Sequence, residues 1–292
     1  MTFVLLSVIC SVLVSVLLKL ARRHAVDVGQ AIAWNYVVTG VLTALLLHPT
    51  LDSLRAPGAP WLALAALGVL LPTIFLALAA SVRHAGIVRS DVAQRLSLLL
   101  SLLAAFVLFG EPWTAVKGVG LALGFVALAA MVWHPRAATV EARTTAGTDR
   151  FGRWLYPLMV FAGFGVIDIL FKQVARSGVP LGASLQAMFA LALVVAFALQ
   201  LVRRARGTMR FTARSALGGV ALGLFNFGNI LFYLRGHQAL PAHPALVFTS
   251  MNIGVVALGA LVGVLVFRER LSALNFAGVA LAVGAIAVIA SA

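Results

Sequence analysis

Charge is scarce in this chain, acidic charge scarcer, and cysteine almost missing. Of 292 residues, 10% are charged and 62% hydrophobic, against about 25% charged in a soluble domain. A soluble protein of this size could not cover its surface, so that class is excluded. Only 8 acidic residues stand beside 22 Lys and Arg, which leaves few carboxylates for paired acid–base chemistry. The single cysteine, Cys10, lies in an apolar run and permits no intrachain disulfide framework. A glycine-rich phosphate loop with its lysine is absent, which argues against an ATPase. No His/Cys cluster has metal-ligand spacing, and no Ser, His and acid form a nucleophile motif. No cofactor and no metal are therefore expected. Strand-sized segments of alternating polarity are lacking too, which excludes an outer-membrane barrel. The first 18 residues have no charged start, and Lys19-Leu20-Ala21-Arg22-Arg23 follows them instead of a small-residue cleavage site. They read as a first span, not as a cleavable leader.

What is present is apolar length. Ten runs are long enough to cross a bilayer, which takes about 20 residues each. They fall near 2–20, 30–48, 61–80, 88–109, 115–133, 152–172, 181–202, 213–234, 243–267 and 272–290. The backbone must satisfy its own hydrogen bonds in hydrocarbon, so each run is expected to be a helix. Pro72 falls inside the third run and predicts a kink, while Pro180 opens the seventh and Pro241 with Pro244 the ninth. The longest polar stretch, 136–151, reads as a linker between a first five-helix repeat, 1–135, and a second, 152–292.

The net charge of +14 does not form a continuous basic face, so nucleic acid is not the expected partner. In a membrane protein the same excess is an orientation signal and a contact with anionic lipid. The loops after spans 1, 3, 5, 7 and 9 hold 17 of the 22 Lys and Arg; the others hold only Arg55, Lys117, Lys172, Arg176 and Arg235. By the positive-inside rule the first set is cytoplasmic, which predicts both termini on the non-cytoplasmic side of a cell (inner) membrane.

The chain also repeats itself. Phe109-Gly110-Glu111 closes one run, and Phe267-Arg268-Glu269 closes another 158 residues later; Gly120 and Gly278 each follow their glutamate by nine residues. Val16-Leu17-Leu18-Lys19 matches Ile169-Leu170-Phe171-Lys172 at an offset of 153, and Gly29 with Gly182 keeps it. Halves joined after an odd number of spans face opposite ways, so the duplication predicts an inverted repeat. The expected fold is an all-α integral membrane protein of ten transmembrane helices in two inverted five-helix repeats.

Two five-helix halves, a Gly-Glu closing the fourth span and a glycine nine residues on resemble the EamA-type drug/metabolite transporter superfamily. Asp91-Val-Ala-Gln-Arg-Leu-Ser97, leading into Phe109-Gly110-Glu111, is similar to this family's fourth span. The resemblance covers essentially the whole chain. It departs at Arg268, where the family usually has Gly. It implies that spans 1–4 and 6–9 surround a central cavity, with spans 5 and 10 peripheral. It also implies a small-metabolite exporter or exchanger, amino acids being one substrate class.

An ionisable group at membrane depth costs about 2.5–3.5 kcal/mol and marks function by default. Asp168 and Lys172 are four apart on span 6 and share a face, as an ion pair or as partners for a zwitterionic substrate. Asp168 is also the proton-coupling candidate. Ser7, Ser11, Ser15 and Lys19 form a polar stripe on span 1, with Ser15 and Lys19 at the repeat positions of Asp168 and Lys172. Ser11 and Ser15 are expected to line the site; close helix packing or bonding back to carbonyls is the plainer role. Asn35, Asn226, Asn229 and Asn252 supply amides, with Phe225 and Phe232 beside the middle two. Amides among aromatics suit a small organic ligand, and interhelical hydrogen bonds are the alternative.

Other polar groups read as structural. Asp91 and Arg95 are expected to pair at the start of span 4, near Gln94. Arg235, His237 and His243 flank the loop after span 8. Glu111 precedes Pro112 at a helix start, where an anion is favoured, and Glu269 is read likewise. Gly120/Gly124, Gly219/Gly223 and Gly259/Gly263 have helix-packing spacing. They leave open whether the protein is a monomer or a homodimer.

The function expected is secondary transport of a small organic metabolite, an amino acid being the leading guess, by alternating access and without enzymatic activity. Two alternatives remain: an integral-membrane enzyme acting on a lipid-like substrate, and a non-transporting assembly subunit of the membrane.

Overall fold

The computed structural model describes residues 1–55, 58–85, 90, 93–94, 96–132, 151–267 and 273–291. The described residues hold ten α-helices and no strand: α1 (Thr2–Arg23), α2 (Val28–Leu47), α3 (Trp61–Ala85), α4 (Leu98–Val107), α5 (Ala115–Val132), α6 (Gly152–Arg176), α7 (Leu181–Ala205), α8 (Ala213–Ala239), α9 (Pro244–Phe267) and α10 (Ala273–Ala290). Six of them are long and apolar enough to cross a membrane: α2, α3, α6, α7, α8 and α9. The apolar parts of α1, α4, α5 and α10 are shorter, 10–17 residues. The expected boundaries hold to a few residues, except that α3, α6 and α8 run on to Ala85, Arg176 and Ala239, and α4 is described only from Leu98. The predicted linker falls almost wholly outside the described residues, as do Asp91, Arg95, Arg268 and Glu269.

The helices form two compact units. One comprises Met1–Thr73 and Ile169–Pro241, the other Ile74–Asp168 and Ala242–Ala292. Each unit therefore draws on both sequence halves. The chain passes between units within α3, just after Pro72, and within α6, between Asp168 and Ile169.

In the first unit α8 packs on α2 and α1, and α2 packs on α7. Lipid is as apolar as leucine, so helices in a membrane associate through close backbone approach, not through hydrophobic exclusion. Gly219 and Gly223 provide that approach. A Cβ on Gly219 would lie 2.6 Å from the Ala31 carbonyl oxygen, and one on Gly223 would lie 2.9 Å from that of Asn35. Aromatic rings fill the α2–α7 seam: Trp34 meets Phe197 edge-on at 5.7 Å, and Tyr36 meets Phe189 at 6.4 Å.

In the second unit α5 packs on α10, and α9 packs on α10, α4 and α5. Gly120 lies against Ile289 and the Ala285 carbonyl, and Gly124 against Ile253. Gly259 differs from its expected role, because a Cβ there would meet nothing within 4 Å.

Large apolar side chains also face outward, Leu62 at 86% exposure and Leu265 at 78% among them. Polar Thr39, Thr43, Ser101 and Ser184 are buried instead. That inversion is what a lipid-facing surface requires, since hydrocarbon solvates leucine and not a hydroxyl.

Candidate functional site

The first unit gathers most of the expected site residues. Ser7 of α1 is buried, and its hydroxyl lies 2.8 Å from the Asn229 Oδ1 and 2.9 Å from the Asn229 carbonyl, donating to both. This contact joins the serine stripe to the amide set. Ser15 is exposed and bonds back to the Ser11 carbonyl at 3.1 Å, the plainer of its two roles. Asn35 on α2 is 2% exposed, and its Oδ1 has no hydrogen-bond partner among the described residues. Asn226 lies one turn beyond Gly223, one of the two glycines at which α8 approaches α2 closely.

Lys172 near the end of α6 is fully buried, and its ammonium donates to the Pro241 carbonyl at 3.1 Å. Around it, Phe171 meets Tyr233 edge-on at 5.9 Å, and Tyr233 meets His237 at 4.8 Å. Sequence reasoning set His237 near a loop; it is buried inside α8, because that helix continues one turn past the expected end. Arg235, on the same turn, sits over the Phe3 ring at 5.9 Å.

The second unit holds Asp168 and Asn252. The buried Ser101 hydroxyl of α4 donates to the Asp168 Oδ2 at 3.0 Å. Sequence reading missed Ser101, although Ser97 and Ser101 stand four apart in a very apolar run. Asn252 donates to the Phe248 carbonyl one turn back, at 3.0 Å, so its amide is partly spent within α9.

The Phe-Gly-Glu motif has a local cause. Gly110 takes φ +68°, a left-handed conformation that glycine enters at no steric cost. That turn carries Glu111 inward, where Lys117 Nζ lies 3.0 Å from Oε1 and the Ala245 N–H donates to Oε2 at 2.6 Å. The Glu111–Lys117 contact is an ion pair in which Oε1 accepts no aligned hydrogen bond. Glu111 is structural as expected, but it satisfies the N-terminus of α9 and not that of its own following helix.

A second network escaped the sequence reading. Asp27 caps α2 by accepting from the Gln30 N–H at 2.8 Å, and Arg203 grips both its oxygens at 3.0 and 2.8 Å. That guanidinium holds the Asp27 carboxyl below its ordinary range; burial opposes it, and the Gln30 N–H adds to the lowering. Gln30 and Thr212 exchange two hydrogen bonds, and Thr212 caps α8. The signal was legible: Asp27-Val28-Gly29-Gln30 has capping-box spacing. Among the described residues no three His, Cys, Asp or Glu side chains group as metal ligands.

A solved crystal structure matches over 99% of this chain and 97% of its own, with TM-score 0.71 and 18% identity, which speaks to the fold alone. An uncharacterized protein of Haemophilus influenzae is 41% identical over 287 residues, covering 96% of this chain and 94% of that protein. Residues 1–133 match the EamA-like transporter family. With its apolar helices and the reach of these similarities, the chain belongs to the EamA-like transporter family, within the drug/metabolite transporter superfamily.

Proposed function

We propose that this protein is a secondary transporter, an exporter or exchanger, of a small zwitterionic metabolite such as an amino acid. Family membership supports small-molecule transport across a membrane. The observation that carries the finer reading is Asp168, a carboxylate on an apolar helix with a buried hydroxyl donating to it at 3.0 Å. A carboxylate kept at that position, and oriented by a neighbour, suits a substrate amine or a transported proton. Lys172, one turn along α6, suits the substrate carboxylate. Asn35, Asn226, Asn229 and Asn252 supply amides for orientation.

Ten spans in two inverted repeats and alternating access belong to the same proposal. Helix pairing supports the repeat: α2 packs on α7, α4 on α9 and α5 on α10, each helix meeting its counterpart in the other half. A twofold axis in the membrane plane produces such pairs.

The test is counterflow in sealed proteoliposomes with a panel of labelled amino acids, comparing wild type with Asp168→Ala. Uptake by wild type that the variant loses is the expected result. No uptake of any amino acid would overturn the substrate class, and equal uptake by the variant would remove Asp168 from the site.

A further inference from the structure

In the first unit, α1, α2 and α8 leave an apolar groove of about 240 Å³. Leu17, Leu20 and Ala21 of α1, Ala31 of α2 and Leu222 of α8 are among its walls, and it reaches His24, exposed at the end of α1. These walls offer a polar metabolite nothing to bond.

The end of the unit at which the groove closes is strongly cationic. Lys19, Arg22, Arg23, Arg203, Arg204, Arg206, Arg210 and Arg214 fall in or beside the α1–α2 and α7–α8 connections, against the single acid Asp27. The two connections meet there: Arg203 holds Asp27, and Arg214 donates to the His24 carbonyl at 3.4 Å. Asp27 is thus occupied by Arg203. Arg214 remains exposed next to His24.

An apolar slot ending beside the exposed Arg214 fits an amphiphile with an anionic head. Basic sites between membrane helices recognise acidic headgroups in this way, while the buried chain supplies affinity in proportion to its methylenes. We propose that this groove binds one acyl chain of an anionic phospholipid, with its phosphate against Arg214. A neutral phospholipid would fill the slot but would leave Arg214 without an anion. The proposal does not depend on which substrate the protein carries.

The probes are dioleoyl phosphatidylglycerol and dioleoyl phosphatidylcholine, added to delipidated full-length protein in detergent, with thermal unfolding as the readout. Phosphatidylglycerol should raise the wild-type midpoint by several degrees and phosphatidylcholine much less. Arg214→Gln should lose at least half of that difference. Ala21→Phe, which fills the groove, should abolish it. Equal responses to the two lipids, or a full phosphatidylglycerol response in either variant, would overturn the site. If Ala21→Phe does not fold, native mass spectrometry decides between wild type and Arg214→Gln. At least twofold fewer retained phosphatidylglycerol molecules on Arg214→Gln is expected, and equal numbers refute the proposal.

Discussion

Ser101 donates its hydroxyl to the Asp168 Oδ2 at 3.0 Å from a fully buried position on α4. A hydrogen bond to a charged acceptor contributes about 1.5–3 kcal/mol. If Asp168 serves transport, Ser101→Ala should slow initial counterflow by about tenfold to a hundredfold at fixed substrate. Ser101→Thr, which keeps the donor, should stay close to wild type. An alanine variant as fast as wild type would remove Ser101 from the mechanism.

Asp168→Asn tests proton coupling separately. The amide keeps the shape and loses the titratable charge. Uptake driven by an imposed pH gradient should vanish while expression and thermal stability persist. Unchanged gradient-driven uptake would exclude Asp168 as the proton carrier.

Breaking the Glu111–Lys117 pair should be costly from one side and cheap from both. Lys117→Met strands a buried carboxylate, a loss of about 3–5 kcal/mol. Adding Glu111→Gln removes the stranded charge, and the double variant should regain much of the loss. Thermal unfolding of the two single variants and the double variant reads this directly; strict additivity would contradict the pairing.

The Asp27–Arg203 pair gives a pH signature. Arg203 lowers the folded carboxyl below its ordinary 3.8. The contribution is therefore complete above pH 3.8 and fades as pH falls below it through the folded value. Asp27→Asn keeps the helix cap and loses the ion pair. With both side chains about one-third exposed, the deficit at pH 7 should be small, about 1 kcal/mol or less. Melting both proteins at pH 7 and at acid pH should show the gap closing; a constant gap would mean the pair contributes nothing.

Close approach predicts a contrast among glycines. Gly223→Ala would set a Cβ 2.6 Å from that of Val38 and 2.9 Å from the Asn35 carbonyl, whereas Gly259→Ala meets nothing within 4 Å. Overpacking costs about 1–3 kcal/mol, so the first variant should melt well below the second. Similar melting of the two would show that α2 and α8 are not held at this distance.

The helices were legible in the chain, because a bilayer permits few alternatives and an apolar run of fixed length declares itself. Composition alone placed α2, α5, α7 and α9 to within a few residues at each end. The duplicated Phe-X-Glu and the Ile/Val-Leu-X-Lys motifs were legible for the same one-dimensional reason, and so was the capping spacing at Asp27. What no periodicity encodes is which residue a side chain meets far along the chain. Ser7 with Asn229, Ser101 with Asp168, and Glu111 with the N-terminus of α9 are joined by helices packing side by side, and that choice rests on glycine contacts and ring stacking. The burial of His237 likewise came from α8 running one turn further than hydropathy implied. The tertiary structure decided these pairings because a hydrogen bond depends on distances of a few ångströms, which separation along the chain does not fix.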